Sequence, residues 1–349
     1  MLTMSPLQSE VPAGVGIPRV SVILCAYTLE RWADLQQAVG SVLGQSVPVL
    51  EVVVVIDHNP ALLEWARGRW PRPAVSADGW RGPEVVVVAS TGAQGLSGAR
   101  NTGVGVAGGE IVAFLDDDAW AEVRWIESLL TPYADPWVVA CGGAAVPALS
   151  RPRPGWWPVE FDWVVGCSYL GLPTSQAPVR NLIGANMSAR REAVLGIGGF
   201  GEGIGRVGTK PVGCEETDLC IRLADHRPGA LVVYEPTARV HHTVPAARMS
   251  WRYFRARCFA EGLSKAQVGA RVGSHRALLS ERSYVRKVLP RGMAAALSGV
   301  VRGDALAGRR ALAIAGGLAI TTAGYTRGRL GRSGGVQVAN VATRSGAAA

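Results

Sequence analysis

One segment, residues 95–120, constrains the fold of this 349-residue chain more than any other. Its sequence is GLSGARNTGVGVAGGEIVAFLDDDAW. The apolar run at residues 112–115 is typical of a buried central strand, and it places Asp116, Asp117 and Asp118 at the carboxyl end of that strand. Open α/β sheets bind their ligands at this end of the strands. The segment therefore predicts a ligand site on an α/β sheet.

Three adjacent carboxylates repel one another, by about 1 kcal/mol per pair in water and several times more at a protein surface. A divalent cation would relieve the repulsion, and Mg²⁺ or Mn²⁺ binds carboxylates together with water and phosphate oxygens. Residues 120–133 have the pattern of a helix, however, and acidic side chains are also favourable before a helix N-terminus. The triplet by itself is explained equally by a metal site and by a solvated helix start.

Apolar, β-branched runs alternate with segments of helical spacing along the first 245 residues. The predicted strands cover residues 19–26, 50–56, 84–89, 112–115, 137–145 and 231–234. This alternation predicts a mostly parallel, doubly wound α/β sheet. Residues 147–178 are rich in proline and aromatic residues, and we interpret them as an ordered substrate loop. The alternative is a lid whose aromatic side chains simply pack over the sheet.

The net charge of +9 is divided unevenly. Residues 1–245 contain 18 Lys and Arg against 24 Asp and Glu, whereas residues 246–349 contain 18 against 3. Nucleic acid is not expected as a partner, because no basic and aromatic repeat or zinc-ligand spacing accompanies the basic region. The expected partner of residues 246–332 is an anionic membrane surface. Within that region the apolar run 311–322 is shorter than the roughly 20 residues that span a bilayer, so it is expected to lie on or dip into the membrane or to be a packing helix.

The ends of the chain and the cysteines suggest where the protein works. The N-terminus has neither a basic start nor an apolar core, so we expect no secretory signal and a cytoplasmic location, peripheral on the inner face of the cell membrane. Residues 1–18 are expected to be flexible and residues 333–349 disordered. The six cysteines lack the spacing of a zinc site and are expected to be reduced and buried.

Further polar residues stand where the predicted strands end. The first strand ends at Ala26 and Tyr27, and Asp57 follows the second, where an acid accepts hydrogen bonds from a base or ribose. Arg100 and Asn101 are expected to begin the helix before the aspartate strand and to position phosphate or sugar hydroxyls. An arginine on the outer surface of that helix is the alternative.

A second acidic set, Glu215, Glu216 and Asp218, lies at the start of the helix predicted over 214–224. A carboxylate here is a candidate general base, and favourable pairing with the helix dipole is the alternative. His241 and His242 follow the last predicted strand on opposite sides. One imidazole facing the crevice would complete a metal shell or touch a diphosphate.

Together these segments resemble the bacterial family-2 glycosyltransferases, which have the GT-A fold. The resemblance covers residues 19–245 and rests on VSVILCAYTLERWADL, EVVVVID, GLSGARNTGVGVAGGEIVAFLDDD, NLIGANMSARREAVLGIGGF and CEETDLCIRL with a trailing histidine. It implies a GT-A domain over 19–245, which a basic helical region follows over 246–332. It also implies an inverting, metal-dependent transfer of a hexosyl or deoxyhexosyl group from a nucleotide-diphosphate sugar. The acceptor is expected to be a glycan, lipid-linked or small-molecule hydroxyl in polysaccharide, glycolipid or secondary-metabolite synthesis.

The resemblance also implies individual roles. Asp57 would contact the nucleobase or ribose, Asp116 the ribose or sugar, and Asp118 the Mg²⁺ or Mn²⁺ ion, while Glu216 takes the place of the catalytic base. The candidate donor-binding residues are Ala26, Tyr27, Asp57, Arg100, Asn101, Asp116 and Asp117. The candidate metal ligands are Asp118, Asp116 and His242.

The chain departs from the family pattern at three positions. Thr28 stands where asparagine is usual, Cys214 replaces a glycine, and Glu216 replaces an aspartate. Because Glu216 is one methylene longer, Glu215 remains a rival for the base, and Asp218 continues the acidic motif. Two alternatives stay open: a nucleotidyltransferase, although CAYTLERW is not its phosphate loop, and a catalytically impaired, membrane-docked protein that binds nucleotide sugars.

Overall fold

The computed structural model describes residues 18–71, 83–201, 213–273 and 278–333, and within them nine strands form one sheet. The strands are β1 (Val20–Ala26), β2 (Glu51–Ile56), β3 (Glu84–Ala89), β4 (Ile111–Asp116), β5 (Ala119–Ala121), β6 (Val138–Leu149), β7 (Ala177–Pro178), β8 (Asn186–Arg190) and β9 (Leu231–Val244). Their order across the sheet is β3-β2-β1-β4-β8-β6-β9-β5, and β7 pairs with β9.

Helices cover both faces of this sheet and extend beyond it at the C-terminal end. The α-helices of the described ranges are α1 (Trp32–Leu43), α2 (Pro60–Arg69), α3 (Leu96–Val106), α4 (Trp125–Leu130), α5 (Arg191–Gly196), α6 (Glu215–His226), α7 (Trp251–Val272), α8 (Leu279–Ser283), α9 (Leu289–Val301) and α10 (Ala307–Ser333). A 3-10 turn at Leu29–Arg31 follows β1, and a π-helical turn at Tyr284–Val288 joins α8 to α9.

The doubly wound arrangement predicted from the sequence is present in the first four strands. Strands β1, β2, β3 and β4 pair in parallel. One core packs α1, α2 and α4 on one face, and a second core packs α3, α5 and α6 on the other. Because both faces are covered, β2 has the continuous valine run of a buried parallel strand. Beyond β4 the sheet is mixed, since β8 runs antiparallel to both β4 and β6.

The helix predicted over residues 120–133 is wrong in its first part. Strand β5 follows the aspartates at once and pairs antiparallel with β9, with Ala119 opposite His242. Helix α4 begins only at Trp125. The backbone N–H of Thr243 also donates to the carbonyl of Asp118, at 2.8 Å. Asp116 therefore ends β4, Asp117 and Asp118 lie in the turn before β5, and the alternative of a solvated helix start does not hold.

The last strand is longer than the predicted segment 231–234. Strand β9 runs through to Val244 and includes both histidines. Its second half alternates between the core and the surface, because Ala238, Val240 and His242 are buried while Arg239 is exposed. This period of two was present in the sequence and is the signature of a half-buried strand. The alternation sends His241 and His242 to opposite faces.

The C-terminal helices pack tightly on one another and on the aromatic segment. A Cβ on Gly262 of α7 would collide with the carbonyl oxygen of Thr321 in α10, so only glycine permits this approach. Trp157 and Phe161 are buried against Phe254 of α7. These two rings therefore pack as the alternative interpretation of residues 147–178 predicts, in which the aromatic side chains only bury apolar surface.

The apolar run at 311–322 lies within α10. Its inner side, with Ala313 and Ile314, is buried, whereas Leu312 is 74% exposed. Among the described residues, no helix combines the length and the apolar character needed to cross a membrane. All six cysteines are free thiols, and five are buried. The expectations for residues 1–17 and 334–349 lie outside the described residues.

Candidate active site

Asp118 is the most heavily contacted of the three aspartates. Its carboxylate lies 3.2 Å from Nε2 of His242, 3.2 Å from Nη1 of Arg31 and 3.3 Å from Nη2 of Arg248. Burial raises the pKa of Asp118, but His242 and the two guanidinium groups outweigh it and hold the pKa well below its usual range. The side chain is therefore an anion at neutral pH.

Asp116, Asp118 and His242 form a group whose donor atoms all lie within 4.8 Å of one another. Two carboxylates and one imidazole are suitable ligands for Mn²⁺ or Mg²⁺. Burial lowers the pKa of His242, but the Asp118 carboxylate reverses this and raises the pKa to about 10. A ligand imidazole must be neutral, so binding of a cation here releases a proton. The residues present fit a divalent cation.

Asp117 is not part of this group. Its Oδ1 lies 2.8 Å from Nη1 of Arg31, in the turn that follows β1. Burial and the charge of Asp118 raise the pKa of Asp117 to about 7. Asp117 is therefore paired with Arg31 and does not line the central cavity, and its contact with the donor stays a prediction.

The residues at the ends of β1 and β2 form a second polar group, outside the lining of the central cavity. The guanidinium of Arg31 lies 5.7 Å from the centre of the Tyr27 ring. The side chain of Asn59 donates to the carbonyl of Tyr27 at 3.0 Å, and the N–H of Asp57 donates to the carbonyl of Ala26. Asp57 in turn accepts from the N–H of Gly95 at 3.0 Å. Ala26 contributes backbone only, whereas Tyr27 and Asp57 offer a ring and a carboxylate.

Arg100 connects the two acidic sets. Its guanidinium lies 3.3 Å from Asp116 and 3.1 Å from Glu215, and it donates to the carbonyl of Gly184 at 3.0 Å. Arg100 is only 2% exposed, which excludes the alternative of a surface arginine. It also lies in the middle of α3 and not at the beginning, as the sequence suggested.

Asn101 does not face the crevice, contrary to expectation. Its side-chain amide donates to the carbonyl of Phe200 at 3.0 Å and accepts from the N–H of the same residue at 2.7 Å. Both polar ends of the side chain are therefore used to hold the chain after α5. Consecutive residues of a helix project about 100° apart, so only one of the neighbours Arg100 and Asn101 faces the aspartates.

Three acids begin α6, and they have three different environments. Cys214, which precedes them, has a φ of 75°, in the left-handed region where glycine is usual. Glu215 is buried and paired with Arg100. Glu216 is half-buried at the cavity, where burial and the charge of Glu215 raise its pKa to about 8. Asp218 does not line the cavity, and its carboxylate binds Nε of Arg222 at 2.8 Å; its catalytic role stays a prediction.

Some of these groups line one cavity of about 500 Å³. Asp116, Glu215, Glu216 and His242 line it on the side of the sheet. The C-terminal helices and the aromatic segment form the other side, with Trp163 and Tyr169 among the lining residues. Within residues 147–178, interpreted above as a substrate loop, these two rings line the cavity, whereas Trp157 is buried in the core.

Sequence reasoning missed the two arginines that contact Asp118. Arg31 lies just beyond the first strand, and Arg248 lies just beyond the last. They meet the aspartate because β1, β4 and β9 belong to the same sheet, and no local pattern marks either one. Their contacts with Asp118 depend on the register between distant strands, which a single sequence does not reveal.

Comparison with known proteins agrees with this geometry. A profile described as Glycosyl transferase family 2 matches residues 21–197. The glucosyl-dolichyl phosphate glucuronosyltransferase of Haloferax volcanii is 36% identical over 248 residues, which are 71% of this chain and 76% of the relative. The succinoglycan biosynthesis protein ExoM of Rhizobium meliloti is 26% identical over 80% of this chain and 82% of its own length.

A solved structure shares the fold. It is the mannosyltransferase PcManGT from Pyrobaculum calidifontis in complex with GDP-Man and Mn²⁺. The TM-score is 0.54 at 20% identity, and the match covers 89% of this chain and 87% of that one. The chain is therefore a glycosyltransferase that belongs to family 2 and has the GT-A fold.

Proposed function

We propose that the protein is a metal-dependent, inverting glycosyltransferase that moves a sugar from a nucleotide-diphosphate donor to an acceptor hydroxyl. The observation that carries this proposal is the bridge made by Arg100. This side chain joins Asp116, in the candidate metal group, to Glu215, next to the candidate base, at one cavity. One guanidinium group thus joins the candidate metal group to the residue that precedes the candidate base.

The donor would occupy the sheet side. Tyr27 and Asp57 would bind the nucleoside, at the ends of β1 and β2. Asp116, Asp118 and His242 would hold Mg²⁺ or Mn²⁺, which when bound neutralises charge on the departing diphosphate. Arg31 and Arg248 fix the orientation of the Asp118 carboxylate through their contacts with it.

Glu216 is the proposed general base. Glu215 is already paired with Arg100, whereas Glu216 has no ion pair among the described residues. A pKa near 8 gives its carboxylate a high proton affinity, and about a tenth of it is ionised at pH 7. It would take the proton of the acceptor hydroxyl as that oxygen attacks the anomeric carbon. A single displacement of this kind inverts the configuration of the sugar.

A lipid-linked acceptor and a peripheral position on the inner face of the cell membrane are part of the proposal. The Haloferax relative acts, by its name, on a glucosyl-dolichyl phosphate. The basic C-terminal region supports the membrane position, with 18 Lys and Arg against 3 acids after residue 245. Each such cation near an anionic bilayer contributes about 1 kcal/mol to binding.

Thermal stabilisation of the purified protein by UDP-, GDP- and dTDP-sugars tests the donor class, with Mn²⁺ or EDTA present. We expect one nucleotide series to stabilise the protein with Mn²⁺ and to release nucleoside diphosphate slowly. Asp118→Ala should abolish the effect of Mn²⁺. Turnover that is equal in EDTA would contradict the role of the metal. Release of diphosphate from a nucleoside triphosphate would indicate a nucleotidyltransferase instead.

A further inference from the structure

The imidazole of His242 has a neighbour at each of its ring nitrogens. Its Nε2 lies 3.2 Å from the carboxylate of Asp118, in the turn before β5. Its Nδ1 lies 3.8 Å from Sγ of Cys167, which belongs to the aromatic segment 147–178. Both partners of this second contact are buried, with His242 4% and Cys167 1% exposed. A residue of the candidate metal group is therefore contacted by a residue that lies outside the strands of the sheet.

Gly166 packs against the same ring. A Cβ added at this position would lie 3.3 Å from Cε1 of His242, the ring carbon between the two nitrogens. The φ of Gly166 is 81°, in the left-handed region that favours glycine. Glycine thus permits both the turn and the close approach of the backbone to the imidazole. The ring is therefore contacted at Cε1 as well as at its two nitrogens.

Hydrogen bonds on both sides of Cys167 hold its backbone in place. Its N–H donates to the carbonyl of Asp162, in a 3-10 helix, at 3.2 Å. The N–H of Ser168 donates to the carbonyl of Ala145 in β6 at 2.8 Å, and the hydroxyl of Ser168 accepts from the N–H of Ala145 at 2.9 Å. Strand β6 pairs with β9, the strand that carries His242. The position of the sulfur beside the imidazole is therefore fixed by the backbone.

The direction of the hydrogen bond between ring and sulfur follows from the nitrogen that faces the metal group. A histidine binds a cation through an unprotonated ring nitrogen, and Nε2 is the nitrogen that faces Asp118. The hydrogen of the neutral ring is then on Nδ1, so that Nδ1 donates and Sγ of Cys167 accepts. The thiol hydrogen can donate to the carbonyl of Val165, which lies 3.9 Å from Sγ. Histidine ligands commonly donate their second N–H to a neighbouring group, which fixes the tautomer and the orientation of the ring.

Core packing alone is the alternative role of this thiol. Cys167 belongs to a buried cluster that also contains Phe161 and Cys258. The described residues that line the cavity include Cys167 and His242 but not Cys258. Cys258 is therefore a matched reference, because it is a buried thiol of the same cluster outside the lining of the cavity.

We propose that Cys167 is a positioning residue, which holds the imidazole of His242 with Nε2 toward the divalent cation. This inference rests on the proposed function in taking His242 to be a metal ligand. Trp163 and Tyr169, which flank Cys167 in the sequence, line the side of the cavity opposite the sheet. The aromatic segment thus has two functions, since it lines the cavity and orients a ligand of the metal.

Binding of Mn²⁺ to the full chain tests this role, with EPR spectroscopy to measure the free ion. Cys167→Ala removes the sulfur, and we expect Mn²⁺ to bind about 10- to 100-fold more weakly, the usual cost of losing such a partner. Cys258→Ala is the matched control, and its Mn²⁺ affinity should equal that of the wild type. An affinity in Cys167→Ala equal to that of the wild type would overturn the proposal. An equal loss in both variants would show that core packing is responsible, and it would also overturn the proposal.

Gly166→Ala gives a second test, which applies also if Cys167→Ala does not fold. The added Cβ presses against Cε1 of His242, so Mn²⁺ should bind at least about 10-fold more weakly. Gly198→Ala is its matched control, because Gly198 has a similar φ of 77° but a Cβ there would meet nothing within 4 Å. This control contains the backbone strain without the contact. Equal Mn²⁺ affinity in the two variants would overturn the inference that this segment sets the orientation of the ring.

Pulsed EPR of the Mn²⁺-loaded protein gives a readout that a change in packing alone would not move. The wild type should show the coupling of a bound imidazole nitrogen, and His242→Ala should lack it. Cys167→Ala, at saturating Mn²⁺, should show a changed coupling, because the ring is no longer held at Nδ1. An unchanged coupling would mean that the orientation is set without the sulfur, and it would overturn the proposal.

These experiments distinguish failure of this inference from failure of the proposed function. A wild type that binds Mn²⁺ without nitrogen coupling would overturn the role of Cys167 and leave the metal dependence of transfer intact. A wild type that binds Mn²⁺ with nitrogen coupling, together with equal affinity in Cys167→Ala, would overturn this inference alone. A wild type that binds no Mn²⁺ would contradict the metal role in the proposed function, and the role of Cys167 with it.

Discussion

The two sides of the cavity are built differently. On the side of the sheet, Asp116 ends β4 and Asp118 lies in the turn before β5, so the backbone itself fixes where they lie. On the side of the C-terminal helices, Arg180, Lys265 and Glu281 come from separate segments and are held by ion pairs between side chains. The comparison indicates that backbone geometry positions the aspartates, whereas ion pairs between side chains position the charged groups on the helical side.

Glu216→Gln should have the largest effect, and it tests the side of the sheet. The amide keeps the shape of the side chain but cannot take a proton, so transfer should fall by about 10²- to 10⁴-fold. Stabilisation by the nucleotide sugar should persist, because Glu216 is outside the metal group. Measured rates of nucleoside-diphosphate release with acceptor present check this. Glu215→Gln with a larger loss would assign the base to Glu215 instead.

Gly262→Ala should have the next largest effect, and it tests the helical side. The added Cβ collides with the carbonyl of Thr321, and overpacking of this kind costs about 1–3 kcal/mol. Gly40→Ala in α1 is the matched control, because its Cβ would meet nothing within 4 Å and alanine favours a helix. The midpoint of urea unfolding should fall in the first variant and not in the second. Equal midpoints would contradict the close contact of α7 and α10.

The side of the sheet was largely predictable, for a physical reason. Continuous valine runs and an acidic triplet after a strand are local patterns, and they locate β1, β2 and the aspartate turn. The prediction that the histidines follow the last strand was wrong. Buried and exposed residues alternate through Arg239 to His242, which is the pattern of a continuing strand. By contrast, the partners of Asp118 depend on strand register, and those of Lys265 depend on helix packing. Neither leaves a local trace in one sequence.

A double variant, Val301→Glu with Leu312→Glu, tests whether the outer side of the C-terminal helices contacts a membrane. Both side chains are exposed, and each substitution removes an apolar contact and adds repulsion from anionic lipid. Co-sedimentation with vesicles that contain phosphatidylglycerol should weaken at least about 10-fold. Val123→Glu is the control, since Val123 is 61% exposed in the sheet domain. Equal losses in both variants would mean that the effect is only one of net charge.

The smallest expected effect is a shift in the pH dependence of transfer. It tests whether Glu215 affects the pKa of Glu216. A general base works when deprotonated, so transfer should rise with pH through the pKa of Glu216, near 8. Burial is the main cause of that raised pKa, and the charge of Glu215 is the second. Glu215→Gln removes only the second, so the rise should move to lower pH and remain above the usual range of a glutamate.

Asp225→Asn provides the control for this shift, because it removes one negative charge from the exposed far end of the same helix. Its profile should match that of the wild type. The pH dependence of kcat, measured for all three proteins, separates a local charge effect from a general one. If the rise of kcat with pH occurs at the same pH in Glu215→Gln as in the wild type, the Glu215 carboxylate does not raise the pKa of Glu216. The remaining role of Glu215 is then its ion pair with Arg100. A rise that moves equally in both variants means that the net charge of the helix, and not the adjacent carboxylate, sets the proton affinity of Glu216.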